Sequence, residues 1–392
     1  MHDPYYNGDP EIAEGMTGLI GPQPKWRFHM LKIMNGALAA LTVLAFTTGS
    51  ASAQDATWKA ILDKAKTQKL VMVYQENKAV DEVLAAFTKK TGIEVESTTA
   101  RPTVILPRVK IEQANGQYLW DIWWAITANM VNVASPAGML QPFDPFLVLP
   151  EVKDVNQWRH KDYLYGDPIK HVYTYSHEVS YSAYRNRDVV PELKLDTLDS
   201  LLDPKLKGKV ILRDASAPNA GSFALSPLYK AKGGEFVRKL LKEQDPRVLD
   251  NPQQIDTTII RGGAAVAFGM QGAAYSQCVK DGGCKNISPM PQMATAVSRG
   301  FAVFKNAPNP EATKVFVNWI LSKEGQTLLV SEWAKYNQTG AVSMRKDVEP
   351  HPEHKENQPD FSNPQQYVWV SIDDGSKEID AVVKIFKEVM GK

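Results

Sequence analysis

The chain has 392 residues, 45 Lys and Arg against 44 Asp and Glu, 43% hydrophobic residues and two cysteines. Its charge balance carries no signature of nucleic-acid or membrane-surface binding, and its hydrophobic share is that of an ordinary soluble globular protein. Single cores stop growing near ~250–300 residues, so two lobes are expected.

Residues 1–29 scatter Pro, Gly and acidic side chains and read as an upstream extension from an early start codon, with Met30 or Met34 the preferred start. An export signal follows over 30–53: Lys32, with Arg27 just upstream, is the positive region and Gly36–Phe46 the apolar run. Ala51-Ser52-Ala53 has the small-residue spacing of a cleavage site, so the mature chain is expected to begin at Gln54, in the periplasm. The apolar run is shorter than the ~20 residues of a membrane-spanning helix. No cysteine follows the cleavage site, so no lipid anchor is indicated. The mature chain keeps 42 basic and 40 acidic residues, a net charge of +2.

Helical spacing runs over Ala56–Lys66, and Leu70–Tyr74 is a short apolar strand. Ala79–Lys90 places Val80, Val83, Leu84 and Phe87 on one helix face, and Thr91-Gly92 ends it. A strand over Ile93–Glu96, a helix over Thr103–Ala114 and a strand over Asp121–Ala125 follow, with Pro107 tolerated only in the first turn of its helix. This βαβα order predicts a parallel sheet with helices on both faces. His171–Tyr184 then alternates with period two, as a strand crossing between lobes would. A second α/β lobe is read from Val210–Arg213 as strand, Ser222–Ala231 and Glu235–Lys242 as helices, and the helix, strand, helix order of Ile255–Arg261, Ala264–Gly269 and Gly272–Val279. Phe301–Phe304 is a further strand. Asn309 caps a helix with Pro310 at its first position and Val315, Phe316, Trp319 and Ile320 inward. Arg345–Gln366, rich in Pro, Glu, Asn and His, is a loop or extended arm, and Asp380–Val389 a closing amphipathic helix. Cys278 and Cys284 flank a short loop with Asp281-Gly282-Gly283, which an oxidising compartment would close as a disulfide; two free thiols are the alternative.

Five segments in order, VYQENKAVDEVLAAFTKKTGIEV, RVKIEQANGQYLWDIWW, LDTLDSLLDPKLKGKVILRD, IRGGAAVAFGMQG and GFAVFKNAPNPEATKVFVNWILSKEGQTLL, resemble the periplasmic solute-binding proteins of ABC importers, in the bilobal class that includes the ferric-iron binders. The resemblance covers nearly the whole mature chain. It implies an α/β, two-lobed periplasmic-binding-protein fold of type II, each lobe a mainly parallel sheet flanked by helices, with hinge strands between them. The corresponding organisation is 54–176 as lobe 1, 177–288 as lobe 2, 289–340 as the return to lobe 1, and 341–392 as an arm and helix on lobe 2. Ferric binders of this group usually carry adjacent tyrosines where this chain has Ala273-Ala274 followed by Tyr275, and often a histidine in the loop that here reads Tyr74-Gln75-Glu76-Asn77. Hard ferric iron wants anionic oxygen ligands, so an organic anion is the better fit to these residues.

Ligands of open α/β sheets sit beyond the carboxyl ends of strands. That rule nominates Tyr74, Glu76 and Asn77 after the first strand, and Arg101 and Thr103 after the second, where Arg101 can grip a carboxylate or phosphate in two places. It adds Trp124 at the third strand end, as a stacking or packing aromatic. In the second lobe the loop from Ser216 through Ala220, Gly221 and Ser222 lets backbone approach a ligand, and Gln271 plays the same part, with Tyr275 beyond it. For each, an ordinary loop or cap residue is the competing reading. His351 and His354, in the Pro-rich arm, read as solvated surface, with a metal site as the lesser alternative. Arg261-Gly262-Gly263 precedes a strand, so it is no dinucleotide fingerprint, and no nucleophile elbow, HExxH or Walker loop occurs.

The expectation is a non-enzymatic, monomeric receptor without a cofactor, metal or nucleic-acid partner, which captures a small anionic organic solute and delivers it to an inner-membrane ABC permease with its cytoplasmic ATPase. The alternatives are a ferric-iron receptor using Tyr74, Glu76, Tyr275 and a synergistic anion, and, in another class, a secreted two-domain hydrolase.

Overall fold

Alternating strand and helix builds the first lobe, from helix α1 (55–65) through β1 (Leu70–Tyr74), α2 (Lys78–Thr91), β2 (Val95–Thr99) and α3 (Pro102–Ala114) to β3 (Ile122–Ile126). The computed structural model describes residues 55–75, 77–336, 341–369 and 375–391; the export signal, the segment before it and Glu76 lie outside them. β1 pairs in parallel with β2 on one side and β3 on the other. Every side chain of β1 is buried, as befits an inner strand covered on both faces. α2 stops where Gly92 takes φ 74° and returns its N–H to Thr88 O, a left-handed cap open to glycine at little cost. Pro107 falls in the second turn of α3 rather than the first, so that helix continues without one of its backbone hydrogen bonds.

After β4 (Leu140–Gln141) and the single-turn helix α4 (Pro150–Lys153), the chain enters β5 (Val172–Tyr181) and β6 (Ala183–Asn186). The strand expected over 171–184 is thus two strands broken at Ser182. There the backbone changes partner: Ser182 donates to Met293 O at 2.9 Å and accepts from Gly269 N at 2.9 Å. The second lobe is β7 (Val210–Arg213), α5 (Ala220–Glu243), β8 (Arg247–Leu249), α6 (Pro252–Ile260), β9 (Val266–Phe268), α7 (Gly272–Lys280) and β10 (Ile287–Pro289). The two helices expected over 222–242 are one element kinked at Gly233, whose φ of 76° interrupts the helix. The chain returns through β11 (Ala294–Phe304), continues into α8 (Pro310–Ile320), α9 (Lys323–Lys335) and β12 (Val368–Trp369), and ends in α10 (Gly375–Met390).

Two sheets result. The first has seven strands in the order β12-β11-β3-β1-β2, with β4 and β5 also paired to β11; the second has five, β10-β6-β9-β7-β8. Each combines a parallel trio, β2-β1-β3 or β8-β7-β9, with antiparallel strands that lead to the other lobe. β11 is far longer than the Phe301–Phe304 strand read from the sequence. Its first half carries Thr295 and Ser298, which are buried, and the half-buried Arg299, polar residues that give no hydropathy signal for a strand. A bulge falls between Arg299 and Gly300, and a side chain at 300 would meet Tyr173 O at 2.3 Å.

The cores follow the layers. On one face of the first sheet Phe87, Trp124, Phe301, Phe316 and Trp333 pack together, and on the other Val73, Ile105, Val109 and Trp123. Leu212, Leu225, Phe236 and Phe268 form the main core of the second lobe, joined by Val382, Ile385 and Phe386 of α10. The segment 341–369 divides from α10: Ala341 and Met344 enter the first lobe's core and β12 joins its sheet. The Cys278–Cys284 disulfide is formed at the end of α7.

Asp121 ties three elements of the first lobe. Fully buried at the entrance of β3, its carboxylate accepts from Val71 N at 2.8 Å, Asn309 N at 2.8 Å and Asn309 Nδ2 at 3.0 Å. Asp121→Ala leaves the buried N–H of Val71 and the part-buried N–H of Asn309 unpaired and is expected to cost about 2–4 kcal/mol in denaturant unfolding, whereas an exposed control such as Asp63→Ala should be near neutral.

His177 sits in β5, 4% exposed, with Nδ1 2.8 Å from Ser298 Oγ and Nε2 3.2 Å from Tyr163 O. Burial drives its imidazole down to about 3, against a weaker upward pull from the Tyr163 carbonyl. The unfolded imidazole takes up a proton near 6.5 and the folded one only near 3, so the unfolded state binds more protons between those values. Stability should therefore fall as pH drops from about 6.5 toward 3, by up to about 1.4 kcal/mol per unit from this residue. Melting temperature against pH measures it, and His177→Gln should flatten that part of the profile.

Candidate functional site

The strand ends of the two sheets face a cleft of about 420 Å³. The first lobe contributes Gln75 after β1, Pro102 at the start of α3, Ile126 at the end of β3 and Asn129 beyond it. The crossing strands supply Ser180, Tyr181, Ser182, Thr295 and Val297 as its floor. From the second lobe come Arg213, Phe223, Gly269 and Gln271, together with the first residues of α5 (Ala220) and α7 (Gly272, Ala273).

Arg213 is the one charged side chain among the described lining residues. It ends β7 and lies across Gly269, where a side chain would come within 3.1 Å of its Cγ and Cδ. No carboxylate lies within ion-pair reach of it among the described residues. Its charge does reach Asp256, whose carboxyl is raised by burial and held back by the Gln271 hydrogen bonds and by Arg213. Gln271 is itself fixed by Asp256: its backbone N–H donates to Oδ1 at 2.9 Å and its Nε2 to Oδ2 at 2.6 Å. An unpaired guanidinium beside helix N-termini is a setting for a carboxylate or phosphate.

A smaller recess of about 190 Å³ adjoins the cleft through Gln75, Ala125 and Ile126, and is walled by Trp124, Tyr175, Arg299 and Trp333. Its cation is neutralised within the protein: Arg299 Nη2 and Nε reach Glu178 Oε1 at 2.9 and 3.2 Å. Burial alone would lower Arg299, and the Glu178 carboxylate together with Tyr175 outweighs it, leaving the guanidinium above its ordinary value.

The residues nominated from sequence distribute unevenly. Ala220 and Gln271 line the cleft, and Asn77 and Trp124 the adjoining recess. Trp124 is committed to packing, stacked on Trp333 at 5.7 Å and donating to Tyr175 Oη at 2.8 Å. Asn77 caps α2 through Ala79 N. Tyr74 is buried in the core, its hydroxyl on Asp81, and opens toward the α2–β2 side. Arg101 and Thr103 are exposed at the start of α3 and are not among the cleft-lining residues, although Pro102 between them is. Ser216 turns back on Asp214. Ser222 is fully buried and closes a reciprocal cap with Asn219, so its hydroxyl does not face the cleft. Gly221 is required because a side chain there would meet Asp214 O at 2.1 Å. Tyr275 leans on Tyr184 at 5.0 Å and lines a different cavity. Glu76 lies outside the described residues.

Sequence reasoning passed over Arg213, Asn129 and the floor residues. Arg213 was within reach of the strand-end rule, since it closes the strand VILR, but the loop was counted from Ser216. Tyr181, Ser182 and Thr295 had no such signal, because they become lining only when two strands distant in sequence pair across the lobes.

Similarity to known proteins follows the same architecture. The chain is 26% identical over 285 residues to Iron uptake protein A1 of Synechocystis, a match spanning 68% of this chain and 75% of that protein. Among solved structures, the apo ferric ion-binding protein A of Pasteurella haemolytica superposes with a TM-score of 0.60 at 17% identity, over 82% of this chain and 98% of that one. The periplasmic binding protein AfuA of Actinobacillus pleuropneumoniae, in a fructose-6-phosphate-bound structure, superposes with a TM-score of 0.55 at 17% identity, over 82% and 96%. Residues 82–362, more than half of the chain, match the model of the bacterial extracellular solute-binding proteins, and the protein belongs to that family.

Proposed function

We propose that this protein is the periplasmic receptor of an ABC importer for a small anionic organic solute, which it holds between its lobes and presents to an inner-membrane permease with its cytoplasmic ATPase. The observation that carries the anionic part is Arg213, a cation in the cleft with no carboxylate partner among the described residues, on the same wall as the first turns of α5 and α7. A neutral solute would leave that guanidinium unpaired on closure, and a cationic one would be repelled. The solute needs at least one carboxylate or phosphate for Arg213 and neutral hydroxyl or amide groups for Gln75, Asn129 and the Ser180–Ser182 floor. A phosphorylated sugar has that chemistry, and a protein of this fold binds one. The receptor works as a monomer, lobe 1 built on the first sheet and lobe 2 on the second, and it performs no catalysis.

A second reading is ferric iron carried with a synergistic anion, because relatives are named for iron. In that reading the anion takes Arg213 and the metal needs phenolates near it. Tyr181 is the phenol among the described cleft residues, since Tyr74 and Tyr275 lie elsewhere.

Thermal-shift titration with carboxylates, phosphonates and sugar phosphates separates these readings. Stabilisation by one of these anions, with Arg213→Gln weakening it about 10–100-fold, is the expected result. A shift with polyamines and none with anions would overturn the anionic assignment. A visible tyrosinate charge-transfer band on adding ferric citrate, lost in Tyr181→Phe, would establish the iron reading in its place.

A further inference from the structure

His351, Glu353 and His354 lie in the sequence His-Pro-Glu-His, at the start of a short 3₁₀ helix (Pro352–Asn357) in the arm after α9. The arm's composition predicts solvated histidines, but His354 is only 4% exposed. His354 Nε2 and His351 Nδ1 are buried and have no hydrogen-bond partner among the described residues. A buried nitrogen left unpaired is unfavourable, and two in one turn is an arrangement that asks for a ligand. The turn brings them together: His354 N donates to His351 O at 2.9 Å, and the ring centroids stand 5.9 Å apart. One donor atom from each imidazole and one carboxylate oxygen of Glu353 all lie within 4.8 Å of one another.

We propose that these three side chains form a binding site for a divalent transition-metal ion, separate from the cleft. Two neutral imidazoles and one carboxylate suit Zn²⁺, Ni²⁺, Cu²⁺ or Co²⁺, whereas Mg²⁺ and Ca²⁺ prefer all-oxygen sets. Ligands bonded at about 2.0–2.2 Å stand roughly 3.3–3.6 Å apart in a tetrahedron, so the donors must draw in by up to about 1.5 Å. Glu353 is exposed and can make most of that movement. Glu353 and His354 also border a cavity of about 600 Å³ with Tyr181, Tyr184 and Tyr275, from which water can complete the coordination.

The site has a structural consequence. Glu353 Oε2 holds Lys280 of α7 at 2.8 Å, a bond between the arm and the second lobe. A metal ion competes with Lys280 for that carboxylate, so occupancy bears on how the arm docks against α7. Ferric iron favours anionic oxygen over imidazole, which keeps this site distinct from the ferric-cargo reading of the cleft.

Calorimetric titration of untagged, chelator-stripped protein with Zn²⁺ tests the proposal, with Co²⁺ absorption as a report on nitrogen coordination. One Zn²⁺ per chain is expected at micromolar affinity or tighter, with no comparable binding of Mg²⁺. His351→Gln and Glu353→Gln, chosen because both residues are less buried than His354, should each weaken Zn²⁺ at least about 100-fold while circular dichroism shows the same fold. Absence of saturable Zn²⁺ binding, or binding unchanged in both variants, overturns the proposal.

Discussion

The β5–β11 ribbon is the element on which the rest of this structure depends. Its antiparallel register runs from Ala302↔Val172 to Ala294↔Tyr181, and both strands then continue into the second sheet as β6 and β10. Between the sheets the chain leaves this ladder at Ser182 and at Met290–Met293, where backbone bonds pass from one sheet to the other. Buried polar pairs hold its register: Arg299 to Glu178 and His177 to Ser298 join side chains across the two strands. A slip by one residue would strand these groups on the wrong faces. Gly300 adds a steric constraint, since any side chain there would strike the opposing backbone at Tyr173. The ribbon is therefore the crosspiece that carries both sheets.

Hinged binding depends on a difference in affinity between open and closed forms. Arg213 is carried by the second lobe, Gln75 and Asn129 by the first, and the Ser180–Ser182 floor by the ribbon between them. On the proposed reading, a solute held by all three groups makes in the closed form contacts that are unavailable in the open one, and only that surplus drives closure. A shift from 1:99 to 99:1 requires about 5.5 kcal/mol of such surplus. One charge-assisted pair supplies about 1.5–3 kcal/mol, so Arg213 alone is insufficient and the first-lobe amides are needed. Arg299 cannot contribute the same way, because Glu178 already neutralises it.

Much of the fold was legible because helix and strand periods there coincide with burial. β1 is an apolar run covered on both faces, α2 and α8 turn their apolar positions to one core, and the βαβ order of both lobes was read from such patterns, with Asn309 and Pro310 marking the start of α8. β11 was legible only in its last four residues, where Phe301 and Phe304 are apolar on their own account; its polar half is a strand because β5 lies beside it. The site follows the same division. Gln271 and Ala220 were found by the strand-end rule, a local rule, whereas Tyr181 and Thr295 reach the cleft through pairing over more than a hundred residues. The rule also overreached at Ser222, because a serine three residues into a helix serves the helix's own orphan amides as readily as a ligand.

Composition misleads most in the arm, and the reason is physical. A stretch rich in Pro, Glu, Asn and His reads as solvated because each residue in isolation prefers water, yet burial is decided by whether its polar groups find partners. Arg345 shows how: 1% exposed, it forks onto Asp347 at 2.8 and 2.9 Å, donates to Leu321 O at 2.9 Å and stacks over Trp158. With its donors satisfied, the charge can be buried, and the arm is fastened to the first lobe, helped by Arg159 N to Met344 O and the Trp158↔Arg345 bridge. His177 is hidden by the same logic. In the arm His351 and His354 remain as exceptions, with buried Nδ1 and Nε2 unpaired among the described residues, and a buried group without a partner is where a structure's unstated chemistry is best sought.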